Sequence, residues 1–195
     1  MPRRARVVLI LVIAATYLPF LNQAFHIDDR IYLQIADNIL QKPFFPYDFE
    51  AIHEGFAAPD AASHSHLPLT SYYLALVKLL TGSEAEWVYH LAFIVFPLIA
   101  AFGFYDLASR YTCHPLAAAC LLVVAPSFLV LSHTLMTDVP LLAFWIVALS
   151  SFMRIADGQA GRRDWLLCAL SLLAAGFISL VTAGLILLMA VYALG

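Results

Sequence analysis

The fold is decided by residues 7–40, "VVLILVIAATYLPFLNQAFHIDDRIYLQIADNIL", where a long apolar run meets two adjacent aspartates. The apolar part, residues 7–25, is close to the roughly 20 residues that span a bilayer, whereas the apolar region of a signal peptide is about 7–15 residues long. We therefore predict an uncleaved transmembrane helix over residues 7–25 rather than a signal peptide. Pro19 is expected to kink this helix close to its C-terminal, outer end.

The composition of the whole chain is typical of a membrane protein. Of its 195 residues, 63% are hydrophobic and 12% are charged. The mean hydropathy is +0.87, and soluble domains carry about 25% charged residues. The formal net charge of −3 and the lack of a basic cluster in the sequence exclude nucleic acid as a partner. The sequence thus predicts an all-α, polytopic membrane helix bundle.

Residues 26–66 form the one long polar stretch, with seven acidic residues against two basic ones. Within it Ile27, Ile31, Ile35 and Ile39 recur every four residues, which places them on one face of a helix. This pattern predicts an amphipathic helix at the membrane interface. We assign residues 26–86 to a first extracytoplasmic loop with amphipathic helices.

Charge decides how the remaining apolar segments cross the membrane. These segments are 67–81, 87–108, 115–132, 139–155 and 165–195, the last with a break near residues 179–184. If 67–81 does not cross and the N-terminus is cytoplasmic, the positive-inside rule is obeyed. Seven of the ten Lys and Arg residues are then cytoplasmic: Arg3, Arg4, Arg6, Arg110, Arg154, Arg162 and Arg163. The active-site candidates below then share the extracytoplasmic face.

Asp28 and Asp29 are the first candidates for chemistry. One interpretation is structural: Asp28 caps the following helix and Asp29 complements its dipole. The other is a general base, because partial burial at the membrane surface raises the pKa of a carboxylate into a useful range. The two interpretations are compatible if one aspartate caps and the other catalyses.

Two further groups on the same face have both structural and functional interpretations. His64 and His66 in "SHSHLPL" fit a metal pair, hydrogen bonds to phosphate or hydroxyl groups, or a loop without a ligand role. Thr137 or Asp138 before Pro140 fits a helix N-cap. Alternatively, Asp138 is a second acidic group that faces the same site as Asp28.

The order of these elements resembles the N-terminal part of the C-type membrane glycosyltransferases, especially protein O-mannosyltransferases and lipid A aminoarabinose transferases. The similar stretches are "DDRIYLQIADNIL", which retains Tyr32, then "SHSHLPLTSYYLALVKLLTG", "SEAEWVYHLAFIVFPLIAAFGFYDLASRY", "MTDVPLLAFWIVALSSF" and "GFISLVTAGLILLM". Two features depart from the family pattern: its lysine near 181–182 is absent, and the double proline after His66 is missing. The family's length and the apolar end of the chain lead us to expect that residues 1–195 are the N-terminal part of a longer domain.

The resemblance implies a sugar transferase that uses a polyprenyl-phosphate-linked donor and a lipid, glycan or protein acceptor. By the same resemblance, Asp28 is the expected base and Asp138 a secondary polar contact. The resemblance also implies that His64 or His66 contacts acceptor or phosphate. Arg30 and Lys78 are the cations available for the charge on the leaving phosphate, and no cofactor is expected beyond the open alternative of a divalent metal. The expected location is the bacterial inner membrane.

A non-catalytic membrane protein is the alternative, either a transporter fragment or a degenerate transferase that acts as a scaffold. Transporters place ionisable groups near the bilayer midplane. In this sequence the ionisable residues lie mainly between the apolar segments, which favours the transferase.

Overall fold

The computed structural model describes residues 1–26, 28–53, 56–58 and 66–194. Ile27 and His64, both named in the sequence analysis, lie outside these residues. Within the described residues the chain folds into ten α-helices: α1 (Arg3–Tyr17), α2 (Asp29–Gln41), α3 (Leu69–Thr81), α4 (Glu86–Phe93), α5 (Val95–Ala108), α6 (Pro115–Val124), α7 (Pro126–Ser132), α8 (Asp138–Ala156), α9 (Arg162–Gly176) and α10 (Thr182–Leu194).

The predicted all-α bundle is confirmed, with one small addition. Strands β1 (Ala51–His53) and β2 (Phe56–Ala58) pair antiparallel, with Ala51 opposite Ala58. The acidic polar stretch therefore contains a short hairpin that the helical periodicity of its first half does not predict.

Two of the predicted membrane spans are confirmed by length and composition. Helices α4 and α5 follow each other as one apolar segment of 23 residues, Glu86–Ala108, and α8 has 19 residues. Both are close to the roughly 20 residues that cross a bilayer. Both helices are therefore long and apolar enough to cross a membrane.

The segment 115–132, predicted to cross the membrane, is bent rather than one straight helix. Helices α6 and α7 are bent by 61° relative to each other. The bend lies at Ala125, whose φ of −60° and ψ of 131° are extended. Pro126 causes it, because a proline disfavours the helical conformation in the residue before it. The pair is therefore a broken span or a re-entrant element.

Helix α1 differs from its prediction in extent. It begins at Arg3 and ends at Tyr17, and Pro19 lies in the following 3₁₀ turn, Leu18–Phe20. At 1.5 Å per residue the 15-residue helix is about 22 Å long, shorter than the roughly 30 Å hydrocarbon core. Pro19 thus ends the α-helix instead of kinking a longer one.

Helix α2 is the predicted amphipathic helix. It buries Ile31, Tyr32, Ile35 and Ile39 along one face, which packs on α3. Helix α3 has 13 residues, about 20 Å, and ends at Gly82, whose φ of +61° suits glycine. A helix of this length falls short of the bilayer core, in agreement with the interpretation that residues 67–81 do not cross.

Helices α5 and α8 form the centre of the bundle. Their backbones approach closely at Gly103, where an added Cβ would lie 2.9 Å from Cγ2 of Ile146. Helices α1 and α6 pack on α5, while α9 and α10 pack on α8. The predicted break in 165–195 is confirmed between α9 and α10. It lies beside the start of α3, because the Leu67 N–H donates to the Ile178 carbonyl at 2.9 Å.

Charged residues gather at the two ends of α8, which has 19 residues and is about 28 Å long at 1.5 Å per residue. We call one the arginine end and define it by Asp106, Arg110, Arg154, Asp157 and Asp164. The other is the aspartate end, defined by Asp28, Asp29, the α7–α8 loop (residues 133–137) and Asp138.

Candidate active site

Asp28 lies immediately before α2 and keeps its carboxylate partly accessible. Its side chain is 35% exposed, and Oδ2 lies 3.7 Å from Nδ1 of His26. It makes no capping hydrogen bond to the first turn of α2, although it occupies the N-cap position. The predicted structural role of Asp28, capping α2 with its side chain, is therefore not what the structure shows.

Asp29, the next residue, is completely buried. Its Oδ2 accepts a hydrogen bond from the His26 N–H at 2.8 Å, and its Oδ1 accepts one from the Leu135 N–H at 2.8 Å. Burial raises the pKa of Asp29 from its ordinary value of 3.8 to about 6, even though both hydrogen bonds lower it. The two adjacent aspartates therefore have different surroundings: one is open at the surface, and the other is held by two backbone N–H groups.

Tyr32 lies one helical turn after Asp28 and is 4% exposed. Burial raises the pKa of its hydroxyl to about 12, and a hydrogen bond with Thr137 lowers it. The negative charges of Asp138, Asp28 and Asp29 also raise this pKa. Tyr32 is thus the residue on which the start of α2 and the start of α8 converge.

His66 reaches this group from the segment before α3. Its Nδ1 lies 3.2 Å from the Thr137 hydroxyl oxygen, and its ring centroid is 6.4 Å from that of Tyr32. The Tyr47 hydroxyl donates to the His66 carbonyl at 2.8 Å, which fixes the backbone of the segment. His66 is therefore part of the aspartate end.

Thr137 and Asp138 open α8. Thr137 is 1% exposed and makes no capping hydrogen bond with its side chain, because its hydroxyl faces Tyr32 and His66 instead. Asp138 is exposed. The sequence predicted Thr137 only as a helix cap. Its position next to Asp138, a predicted site residue, was the feature that could have indicated a role in the site.

Lys78 lies in a different cluster. Its ammonium donates to Asp37 at 2.6 Å and to Glu84 at 2.8 Å, beside a cavity of about 160 Å³. Asp37 follows Asp28 by nine positions on α2, which corresponds to about 13 Å along the axis. Arg30 is exposed on the first turn of α2. Of the two predicted cations, the structure therefore places Arg30 on the turn that follows Asp28.

A groove of about 410 Å³ adjoins the aspartate end. It lies between the end of α1 and α7, and its walls include Phe20, His26, Leu129 and Val130. His133 closes one side, with its ring stacked on Tyr17 at 5.0 Å and its Nε2 at 2.9 Å from the Thr16 carbonyl oxygen. The groove connects apolar surface with the residue that contacts Asp28.

Among the described residues, no three His, Cys, Asp or Glu side chains converge as metal ligands. His64, one half of the predicted metal pair, is outside those residues. The possibility of a divalent metal therefore stays a prediction.

The arginine end differs in that its charges are paired. Arg154 donates to Asp164 at 2.9 Å and also pairs with Asp106, while Arg110 pairs with Asp157. Of these residues, Asp106, Arg110, Arg154 and Asp157 line a cavity of about 510 Å³. Because oppositely charged side chains already bind one another there, this end is suited to holding α5, α8 and α9 together.

Comparison with curated proteins and with solved structures finds no match to either. The model of one protein family, described as dolichyl-phosphate-mannose-protein mannosyltransferase, matches residues 63–195. The matched part is more than half of the chain and contains His66, Lys78, Thr137 and Asp138, whereas Asp28 and Asp29 precede it. The chain belongs to the dolichyl-phosphate-mannose-protein mannosyltransferase family.

Proposed function

We propose that the protein is a membrane glycosyltransferase that moves a sugar from a polyprenyl-phosphate-linked donor to an acceptor at the extracytoplasmic face. The observation that carries this proposal is the convergence of Asp28, Tyr32, His66, Thr137 and Asp138 at one end of a membrane bundle of this family. The family description names a lipid-phosphate sugar donor. A protein, lipid or glycan hydroxyl is the corresponding acceptor class.

Asp28 is the general base of the proposed reaction. Its accessible carboxylate accepts the proton of the acceptor hydroxyl while the hydroxyl oxygen bonds to the anomeric carbon of the sugar. The bond from that carbon to the phosphate oxygen breaks, and its electron pair leaves with the polyprenyl phosphate. General bases contribute about 10²–10⁴-fold to such steps. Asp29 does not take this role in the proposal, because its side chain is completely buried and an acceptor hydroxyl cannot reach it.

The neighbouring polar groups position the sugar and the acceptor. Tyr32, Thr137 and His66 form one connected set of a phenol, a hydroxyl and an imidazole, and each can hydrogen-bond a sugar hydroxyl. Asp138 is exposed at the start of α8 and is a second acceptor for such contacts. Arg30 is the proposed contact for the leaving phosphate, since Lys78 already binds two carboxylates.

The groove beside His26 suits the lipid part of the donor. A polyprenyl chain is apolar and its phosphate is charged, so its binding site must join apolar surface to a polar end. The groove of about 410 Å³ has Phe20, Leu129 and Val130 in its walls and His26 beside Asp28. A donor bound there would have its phosphate next to the proposed base.

Charge favours an extracytoplasmic location for the aspartate end. Helix α1 begins with Arg3, Arg4 and Arg6 and ends beside His133, so these arginines lie toward the arginine end. The arginine end and the start of α9 carry Arg110, Arg154, Arg162 and Arg163. By the positive-inside rule this end faces the cytoplasm.

The proposal is tested with membranes that contain the protein and a labelled acceptor extract. Wild type is expected to transfer sugar from a polyprenyl phosphate sugar and not from the corresponding nucleotide sugar. Asp28→Asn should lower transfer by at least about 100-fold. The control is Asp48→Asn, which removes an exposed acid of the same polar stretch that pairs with Lys42 and should keep transfer. Full transfer by Asp28→Asn, or transfer from the nucleotide sugar alone, would contradict the proposal.

A further inference from the structure

We propose that Asp29 is a positioning residue that joins the start of α2 to the α7–α8 loop and thereby sets the distance between Asp28 and the Tyr32–Thr137–Asp138 group. This inference rests on the proposed function of those residues. We call the hydrogen bonds from His26 N–H and Leu135 N–H to the Asp29 carboxylate the Asp29 bridge.

The Asp29 bridge spans two parts of the chain that are far apart in sequence. Leu135 follows Asp29 by 106 residues, and the bond from its N–H to Oδ1 is 2.8 Å long. The other bond, from His26, fixes the turn that leads into α2 and carries Asp28. One side chain therefore connects the backbone on either side of the proposed site.

Three other polar groups of the loop have partners of their own. The Thr134 hydroxyl donates to the Leu131 carbonyl at 2.9 Å, and the Met136 N–H donates to the Thr134 hydroxyl at 3.3 Å. The His133 carbonyl accepts from Gln23. The Leu135 N–H is directed inward to Asp29, and the Leu135 side chain is completely buried.

The consequence for the site follows from chain connectivity. Leu135 precedes Thr137 by two residues, and Asp29 follows Asp28 directly. A bond between Leu135 and Asp29 therefore limits how far Thr137 and Asp138 can move from Asp28 and Tyr32. Misplacement of a reacting group by about 1 Å can cost about 100-fold in rate, so loss of the bridge should lower turnover although Asp29 does not touch substrate.

Hydrogen exchange measured by mass spectrometry tests the bridge without any assay of activity. In wild type the segment 133–137 is expected to be protected. Asp29→Ala removes both acceptors, and exchange in 133–137 should become at least about tenfold faster, the size expected from loss of a hydrogen bond to a charged group. Asp29→Asn keeps one acceptor oxygen and should give an intermediate rate, which covers the case in which Asp29→Ala does not fold.

Two controls separate the bridge from general effects. Asp37→Asn removes an acid from the same helix, one that pairs with Lys78, and should leave exchange in 133–137 unchanged. Asp28→Asn should also leave it unchanged while it abolishes transfer. The inference is overturned if segment 133–137 stays protected from hydrogen exchange in the Asp29 variants. It is also overturned if exchange in this segment becomes faster in Asp37→Asn as well.

Kinetics complete the test. We expect Asp29→Asn to lower kcat by tenfold or more and to change KM for the donor less than it changes kcat, because Asp29 does not line the donor groove itself and acts on it only through His26 and the α7–α8 loop. A change confined to KM would contradict a positioning role. If wild type transfers no sugar at all, the proposed function fails, whereas the exchange rates still decide whether the Asp29 bridge exists.

Discussion

Both ends of α8 contain charged side chains, but the two ends arrange them differently. At the arginine end Arg154 binds Asp106 and Asp164, and Arg110 binds Asp157. At the aspartate end His26 lies beside Asp28, and two backbone N–H groups bind Asp29. Paired charges stabilise the contact between helices, whereas a partly exposed carboxylate can exchange a proton with a substrate. The comparison therefore separates a structural end from a chemical one.

The largest effect on stability is expected at the arginine end. Arg154→Ala removes the common partner of Asp106 and Asp164 and leaves two acids close together. Because these side chains are half-buried, the free energy of unfolding should fall by about 2–3 kcal/mol, below the value for a fully buried pair. Thermal unfolding in detergent measures this. The control is Arg162→Ala, which removes an exposed arginine at the start of α9. It should change the free energy of unfolding by less than about 0.5 kcal/mol. Equal losses of unfolding free energy in the two variants would contradict the structural role assigned to Arg154.

A smaller effect, on activity, is expected for Thr137. Its hydroxyl joins Tyr32 to His66, so Thr137→Ala should lower kcat/KM by about tenfold, the cost of one hydrogen bond in a buried network. Thr137→Ser keeps the hydroxyl and should stay within about threefold of wild type. If Thr137→Ser and Thr137→Ala lower kcat/KM equally, the methyl group of Thr137 determines activity rather than its hydroxyl, and the proposed polar network is wrong.

The pH dependence of stability sharpens the difference between the two aspartates. The pKa of Asp29 in the folded protein is about 6, above its ordinary value of 3.8. Between pH 7 and pH 5 the folded protein therefore binds a proton before the unfolded chain does. Proton binding by Asp29 therefore increases the free energy of unfolding by about 1 kcal/mol as the pH falls from 7 to 5. This increase is lost as the pH rises through 6.

The measurement is the difference in unfolding free energy between wild type and Asp29→Asn at pH 7 and pH 5. His26 and Asp28, which also act on the charge of Asp29, are present in both proteins, so their own titration largely cancels. The difference should shift in favour of wild type at the lower pH. A shift in the opposite direction would mean that the hydrogen bonds to the carboxylate outweigh its burial.

The smallest effect on transfer is expected for Lys78→Met. Lys78 binds Asp37 and Glu84 and lies about 13 Å along α2 from the proposed base. Transfer should stay within about twofold of wild type, and unfolding free energy should fall by about 0.5–1 kcal/mol, as for a partly exposed ion pair. Arg30→Met is the matched comparison and should reduce transfer more. A large loss with Lys78→Met would assign the leaving phosphate to Lys78 instead.

Local periodicity was sufficient to predict much of the fold. The isoleucine spacing predicted α2, and the long apolar runs predicted spans over 87–108 and 139–155. Pro126 was visible in the sequence, and its effect on Ala125 explains the bend between α6 and α7. The pairing of strands β1 and β2 was not predicted, since helical periodicity gives no information about such a short strand pair.

The site was predictable only in part, because its geometry depends on contacts distant in sequence. Asp28 lies one four-residue step before Tyr32, on the buried stripe of α2, yet it is partly exposed, whereas Asp29 is buried. The difference arises because the α7–α8 loop covers Asp29 through Leu135, and no pattern within residues 26–40 contains that information. Similarly, Lys78 finds Asp37 only through the contact of α2 with α3.

The most direct test of the central claim compares one acid from each end, with transfer expressed per folded molecule. Asp28→Asn at the aspartate end should unfold at the wild-type temperature and lose transfer by at least about 100-fold. Asp106→Asn at the arginine end should unfold at a lower temperature, while its folded fraction transfers sugar at the wild-type rate. The opposite pattern, an active Asp28→Asn beside a stable but inactive Asp106→Asn, would contradict the assignment of chemistry to the aspartate end.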